Sequence, residues 1–147
     1  MYKQILIATD GSELATQGLE HGLQLAAALD AQVVILTASE RWTPVDAGVV
    51  WGGSASLLHE YTDHVRKHAE AVLATAGARA TELGVRYEPV YVAERYPAEA
   101  IMETAAAHGA DLIVMASHGR RGLNRLLIGS QTNAVITHSK VPVLVVR

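Results

Sequence analysis

Gly119 and Gly129 stand with nine residues between them, and a hydroxyl, Ser130, follows the second glycine directly. The stretch leaves an apolar run at Met115, crosses a glycine-bearing segment and enters a helical pattern that opens at Ser130, which can cap it. A junction of this kind presents backbone N–H groups and hydroxyls to an anion, and the helix dipole adds to the attraction. The chemistry it points to is the binding of nucleotide phosphates. Asp10 ends the first apolar run, in Ala8-Thr9-Asp10-Gly11-Ser12. A carboxylate there, beside a phosphate loop, can bind Mg²⁺ (or Mn²⁺) directly or through water. The plainer role for such an Asp is an Asx turn or a helix cap. His118 can touch phosphate or ribose, or hold its loop by a hydrogen bond to backbone. Arg120 and Arg121 place cations near the same phosphates, whereas Arg125 reads as solvated loop.

Several other chemistries are weighed against this one. Gly119-Arg120-Arg121-Gly122 is neither a dinucleotide fingerprint nor a Walker loop, and Gly-x-x-x-x-Gly-Lys-Ser/Thr is absent from the chain. Neither a lysine for a γ-phosphate nor a base for an attacking water stands out, so fast phosphoryl transfer is not expected. His59, His64 and His68 with Glu60 and Asp63 resemble metal ligands, but the step from His59 to His64 is five, not the four of a zincin helix. A solvated helix face is the expectation there. Ser12, Ser117, His118 and Asp10 suggest a Ser-His-Asp set, but the Gly-x-Ser-x-Gly elbow is missing.

These residues must be held by a scaffold, and the apolar pattern supplies one. Five short apolar runs recur: residues 5–8, 33–36, 85–92, 112–115 and 143–146. Four are continuous, as strands buried on both faces of a parallel sheet should be. The third alternates and carries Pro89, which removes a ladder donor and predicts an edge strand. Pro142 opens the fifth run in the same manner. Ser12 can cap a first helix with Leu19, Leu23 and Ala26 on one face. A second helix is expected over 56–83, with Leu58, Tyr61, Val65, Ala69, Val72 and Ala76 as its apolar set. Pro97 suits the first turn of a third helix and Gly109 its end. A fourth runs from Ser130 to near Ser139. The order βαβαβαβαβ with right-handed crossovers gives an α/β, doubly wound, Rossmann-like parallel sheet. Ligands in such sheets sit at the carboxyl ends of strands where the order reverses, here expected between the first and fourth strands. The long connection 40–55, with Trp42, Trp51 and Gly52-Gly53, has the length of a functional or mobile loop.

Composition is consistent with one domain. The chain has 147 residues, half of them apolar, and a formal charge of −3. The mild charge gives no sign of a nucleic-acid partner. Cysteine is absent, which rules out disulfides and thiolate metal sites and fits a reducing cytoplasm. No apolar run approaches the roughly 18 residues of a membrane span, and the amino terminus does not read as a signal peptide. Phe is absent and Ala abundant, a composition suited to helices packed closely on a sheet.

Together these residues resemble the universal stress protein family, from Ile5-Leu6-Ile7-Ala8-Thr9-Asp10-Gly11-Ser12 to Pro142-Val143-Leu144-Val145-Val146. The family's ATP-binding members carry Gly-x2-Gly-x9-Gly-Ser/Thr; Gly119, Gly129 and Ser130 match it, and Ala116 stands at the first glycine. The resemblance implies a five-stranded parallel sheet in the order 3-2-1-4-5. It also implies a homodimer, commonly formed by pairing the last strands, here 141–146. By position, Ala8, Thr9 and Asp10 would line the nucleotide, with Asp10 near metal and phosphate. Ala38 would contact adenine through its backbone, and Met115 and Ala116 would lie near adenine and ribose. Gly119, Gly129, Ser130, Gln131 and Thr132 would hold the phosphates. If Ala116 had to adopt a left-handed backbone, the cost would be roughly 1 kcal/mol, or about fivefold in affinity.

The resulting expectation is a cytoplasmic ATP-binding stress or signalling module with Mg²⁺ at Asp10 and slow or absent turnover. Nucleotide would act by ordering loops 40–55 and 119–128, which would signal to a protein partner. Two alternatives are a nucleotide-free dimeric interaction protein, favoured only by Ala116, and a slow ATPase or self-phosphorylating protein.

Overall fold

The computed structural model describes residues 1–40, 55–119 and 128–147. Chain order is β1 (Gln4–Ala8), α1 (Glu13–Leu29), β2 (Gln32–Ser39), α2 (Ala55–Glu82), β3 (Tyr87–Ala93), α3 (Pro97–Ala107), β4 (Leu112–Ala116), α4 (Ser130–His138) and β5 (Val143–Val146). The sheet runs β3-β2-β1-β4-β5, with every described pairing parallel. Pro89 lies on edge strand β3 and Pro142 just before edge strand β5, where a missing ladder donor costs least. Order reverses between β1 and β4, so the carboxyl ends of those strands open the crevice that doubly wound sheets use for ligands.

Central strands have no polar face because both sides are covered. Ile5, Ile7, Val33, Ile35, Leu112 and Val114 pack against α1 and α2, while Leu6, Val34, Leu36, Ile113 and Met115 pack against α3 and α4. Each fully buried aliphatic side chain contributes about 1.5–3 kcal/mol relative to exposure. Small residues bring α1 down onto the sheet: a Cβ on Gly22 would come within 2.6 Å of Ile7 Cδ1. Leu19, Leu23 and Ala26 are the buried face of α1, as their spacing requires, and the Ser12 hydroxyl caps it by accepting from Ala15 N–H at 3.3 Å.

Two expectations are corrected. The buried stripe of α2 is Ala69, Leu73, Ala76 and Ala80, whereas Leu58 and Tyr61 are exposed and Val65 and Val72 only half-buried. At 1.5 Å per residue the 28-residue helix is about 42 Å long, against about 26 Å for the eight-residue β2, so its first turns overhang the sheet. Ser130 does not cap α4: Gly129 holds the cap position and Ser130 is the first helical residue, because the Gly129 carbonyl already accepts the Asn133 N–H at 2.9 Å.

Candidate functional site

β1 delivers Thr9 and Asp10 to the crevice and then turns sharply at Gly11, whose φ of 78° is one that L side chains rarely adopt. The turn is fixed from within. Thr9 N–H donates to the Leu36 carbonyl at 2.9 Å, which extends the β1–β2 ladder by one step. Thr37, buried in β2, donates its hydroxyl to the Thr9 carbonyl at 2.9 Å. The Thr9 hydroxyl accepts the Gly11 N–H, and Asp10 Oδ1 accepts the Ser12 N–H at 2.9 Å. Asp10 therefore makes the Asx turn with one oxygen while the other, Oδ2, lies against Gly119. The turn and the approach to the glycine loop are compatible, since each uses a different oxygen.

β4 delivers Met115 and Ala116, both buried. Ala116 pairs with Val146 in regular parallel register and is not among the described positive-φ residues. The left-handed conformation that would have penalised alanine is therefore not used here. Behind it sits Gly18 of α1, where a Cβ would stand 3.5 Å from the Ala116 nitrogen. Ser117 continues the strand, its N–H bonded to the Val146 carbonyl at 2.8 Å. Its hydroxyl is hydrogen-bonded to His118 Nδ1 at 3.2 Å. Ser117 is 3% exposed, so its hydroxyl lies buried beside the half-buried His118 ring.

The chain returns at Gly129, whose N–H donates to the Ser117 carbonyl at 2.8 Å, and α4 begins. Thr132, buried, donates its hydroxyl to the Ala116 carbonyl at 3.0 Å and ties the first turn of α4 to the end of β4. The first N–H groups of any α-helix lack intrahelical partners. In α1 a serine answers one of them; at α4 glycine occupies the cap and no side-chain cap bond forms. The N–H groups of residues 130–132 thus remain as donors at the carboxyl edge of the sheet, with the positive end of a helix dipole behind them.

Most of the residues singled out in the sequence converge on this edge. Ala8, Thr9 and Asp10 stand at the end of β1, Ala38 near the end of β2, Met115 and Ala116 at the end of β4, and Gly119 and Gly129–Thr132 around the start of α4. Two side chains are already engaged elsewhere. Thr132 spends its hydroxyl on β4, and Gln131 turns its carboxamide oxygen to the Ala98 N–H of α3 at 3.0 Å. With its hydroxyl proton spent on Ala116, Thr132 has its backbone N–H left to offer an anion, whereas Gln131 keeps its Nε2 donors. Arg120, Arg121 and Arg125 lie outside the described residues, as do 41–54 and 120–127 of the two long loops. Among the described residues no group of three His, Asp or Glu is placed to hold a metal ion. Nor is any described helix long and apolar enough to cross a membrane. Sequence reasoning missed Thr37 and Ser117 as supports of the site. Thr37 carries no sequence signal beyond a polar residue in an apolar strand.

A separate groove of about 230 Å³ reaches Thr9 and Gly11 from between α1 and α2, bounded by Thr16, Leu19, Val72 and Thr75. It opens on the α1/α2 side of the sheet rather than over the start of α4.

Comparison with known proteins places this geometry in a family. The model of the universal stress protein family matches residues 1–147. The universal stress protein MJ0531 of Methanocaldococcus jannaschii is 33% identical over 147 residues, covering 100% of this chain and 83% of its own. Among solved structures, the MJ0577 protein of the same organism gives a TM-score of 0.80 at 29% identity, over 99% of this chain and 96% of its own. A universal stress protein solved in complex with cAMP gives a TM-score of 0.71 at 27% identity, over 99% of this chain and 97% of its own.

Proposed function

The chain belongs to the universal stress protein family, and from that premise we propose that it binds an adenine nucleotide, ATP foremost, as a sensing or signalling module. The observation that carries this reading is the glycine-capped, otherwise uncapped start of α4 at the point where the sheet order reverses. Phosphates sit on the N–H groups of residues 130–132 and the Ser130 hydroxyl, between Gly119 and Gly129. Both glycines clear the cradle: a Cβ would come within 2.5 Å of Asp10 Oδ2 at Gly119, and within 3.4 Å of His118 and the Ser117 carbonyl at Gly129. Ala38 and Met115 offer backbone groups to adenine, and Ala8 and Ala116 are small enough to border the ribose. A similar protein holding cAMP supports an adenine-nucleotide ligand.

The Asp10 carboxylate suits Mg²⁺ or Mn²⁺, hard cations that prefer oxygen ligands. Bound there, such an ion would neutralise phosphate charge that would otherwise face Asp10. Turnover is slow or absent. Of the three lysines, Lys3 precedes β1, Lys140 follows α4, and Lys67 pairs with Asp63 on α2, so none stands at the start of α4.

Equilibrium binding tests the reading. MgATP should bind saturably, with phosphate release much slower than nucleotide exchange. Absence of binding by ATP, ADP, AMP and cAMP at millimolar concentration would remove it.

The second reading, a nucleotide-free dimer, is favoured by Ala116; its regular pairing with Val146 removes the backbone-strain part of that argument. Dimerisation itself remains part of the proposal. β5 is an edge strand whose four residues are all half-buried, a short apolar edge suited to pairing with its copy. Sedimentation should give twice the chain mass, and a monomer at every concentration would remove the dimer without touching the nucleotide site.

A further inference from the structure

Helix α3 has no cap of its own. Its N-cap residue is Tyr96, whose side chain makes no capping bond, and Pro97 at the first helical position has no N–H to satisfy. The next donor, Ala98 N–H, is answered across the α3–α4 interface by Gln131 Oε1 at 3.0 Å. Gln131 thus serves two helix starts. Its main chain belongs to the uncapped first turn of α4, and its side chain caps α3.

The segment feeding α3 carries stored conformational strain and an exposed surface. Glu94, not a glycine, is held at a φ of 59°. Arg95 N–H donates to the Ser39 carbonyl at the end of β2 at 3.1 Å, and Tyr96 is 61% exposed. The corner 94–96 therefore hangs between the end of β2, beside Ala38, and the helix that Gln131 caps.

We propose that Gln131 is a positioning residue that couples phosphate occupancy at α4 to the order of the α3 start and the 94–96 corner. The inference rests on the nucleotide reading above. An anion on the N–H groups of residues 130–132 holds the first turn of α4 in place, and with it the backbone from which Gln131 reaches Ala98. Linkage makes the effect reciprocal: ordering α3 must strengthen nucleotide binding by the same factor.

Amide hydrogen exchange across residues 94–101, with and without saturating MgATP, tests this on the full chain. Gln131→Met keeps the size of the side chain and removes the acceptor. Gln131→Glu keeps an acceptor, and its charge is favourable at a helix start. In the wild type, nucleotide should slow exchange at Ala98 and its neighbours by roughly fivefold, the scale of one helix cap. Gln131→Met should still bind nucleotide at higher concentration but lose that increment, and Gln131→Glu should restore it. An increment undiminished in Gln131→Met, or a wild type that binds nucleotide without any response in 94–101, would overturn the coupling alone. A wild type that binds no nucleotide in the parallel binding measurement would overturn the site reading and the coupling with it.

Discussion

The carboxylate of Asp10 occupies the space that a side chain on Gly119 would need: a Cβ there would stand 2.5 Å from Oδ2. The two residues come from the ends of β1 and β4, the strands between which the sheet order reverses. The glycine is thus explained by approach rather than by backbone conformation. Gly119→Ala should shift the carboxylate and weaken Mg²⁺-dependent ATP binding by roughly tenfold, while stability stays within about 0.5 kcal/mol, since only the end of one side chain must move. Asp10→Ala should lower the same affinity, and the double variant should be no worse than Asp10→Ala. Titration calorimetry of the three variants checks this, and additive losses would separate the two residues.

Gly129 behaves differently. Its φ of −62° is open to any residue, and an added Cβ would meet His118 and the Ser117 carbonyl at 3.4 Å, close to ordinary contact. Gly129→Ala should bind ATP within a few-fold of wild type. Gly129→Val adds two methyls against that wall, and overpacking of about 1–3 kcal/mol should cost tenfold or more in affinity. Equal affinity for the alanine and valine variants would show that this wall does not shape the site.

Ala116 departs from the family's glycine without strain, because it lies in regular pairing with Val146. Ala116→Gly should change ATP affinity by less than about twofold and lower stability by roughly 0.5–1 kcal/mol through backbone entropy. Urea unfolding and calorimetry measure the two effects. A tenfold gain in affinity would mean that the methyl does obstruct the ribose.

Helix α1 is tied to α2 by Glu20 and Arg79, joined through two hydrogen bonds of 2.7 and 2.6 Å. The Arg79 bonds, helped by Gln24, lower the Glu20 carboxyl to about 2 from its usual 4.5. A carboxylate whose pKa is lower folded than unfolded stabilises above the unfolded value. That stability is lost as pH falls from about 4.5 through about 2. Both side chains are over a third exposed, so solvent screening keeps the contribution of the pair small. Glu20→Gln should lie slightly below wild type at pH 7, with the gap closing toward pH 2. A gap that widens in acid would contradict the assignment.

How much of this was legible in the sequence follows from which signals are local. Ser12 as a cap, Pro89 and Pro142 at the edges, and Asp10 beside the glycine loop each follow from residue type and near neighbours, and the structure places all of them accordingly. The α2 stripe was misread because its period continues past the end of the sheet, and no sequence pattern records where the partner strands stop. The cap of α4 moved by one residue because the first helical bond, from Asn133 N–H to the Gly129 carbonyl, depends on how Gly129 leaves Ser117. Gln131 reads as a phosphate neighbour because its bond to Ala98 spans 33 positions, which no local pattern encodes.

The central claim is that the first turn of α4 receives nucleotide phosphate. Amide chemical shifts followed during MgATP titration test it at the atoms concerned. The N–H resonances of Gly119 and of residues 130–132 should move saturably and together, with inorganic phosphate competing weakly for the same amides. Amides at the start of α4 that stay still at millimolar MgATP, whether or not signals elsewhere move, would contradict it.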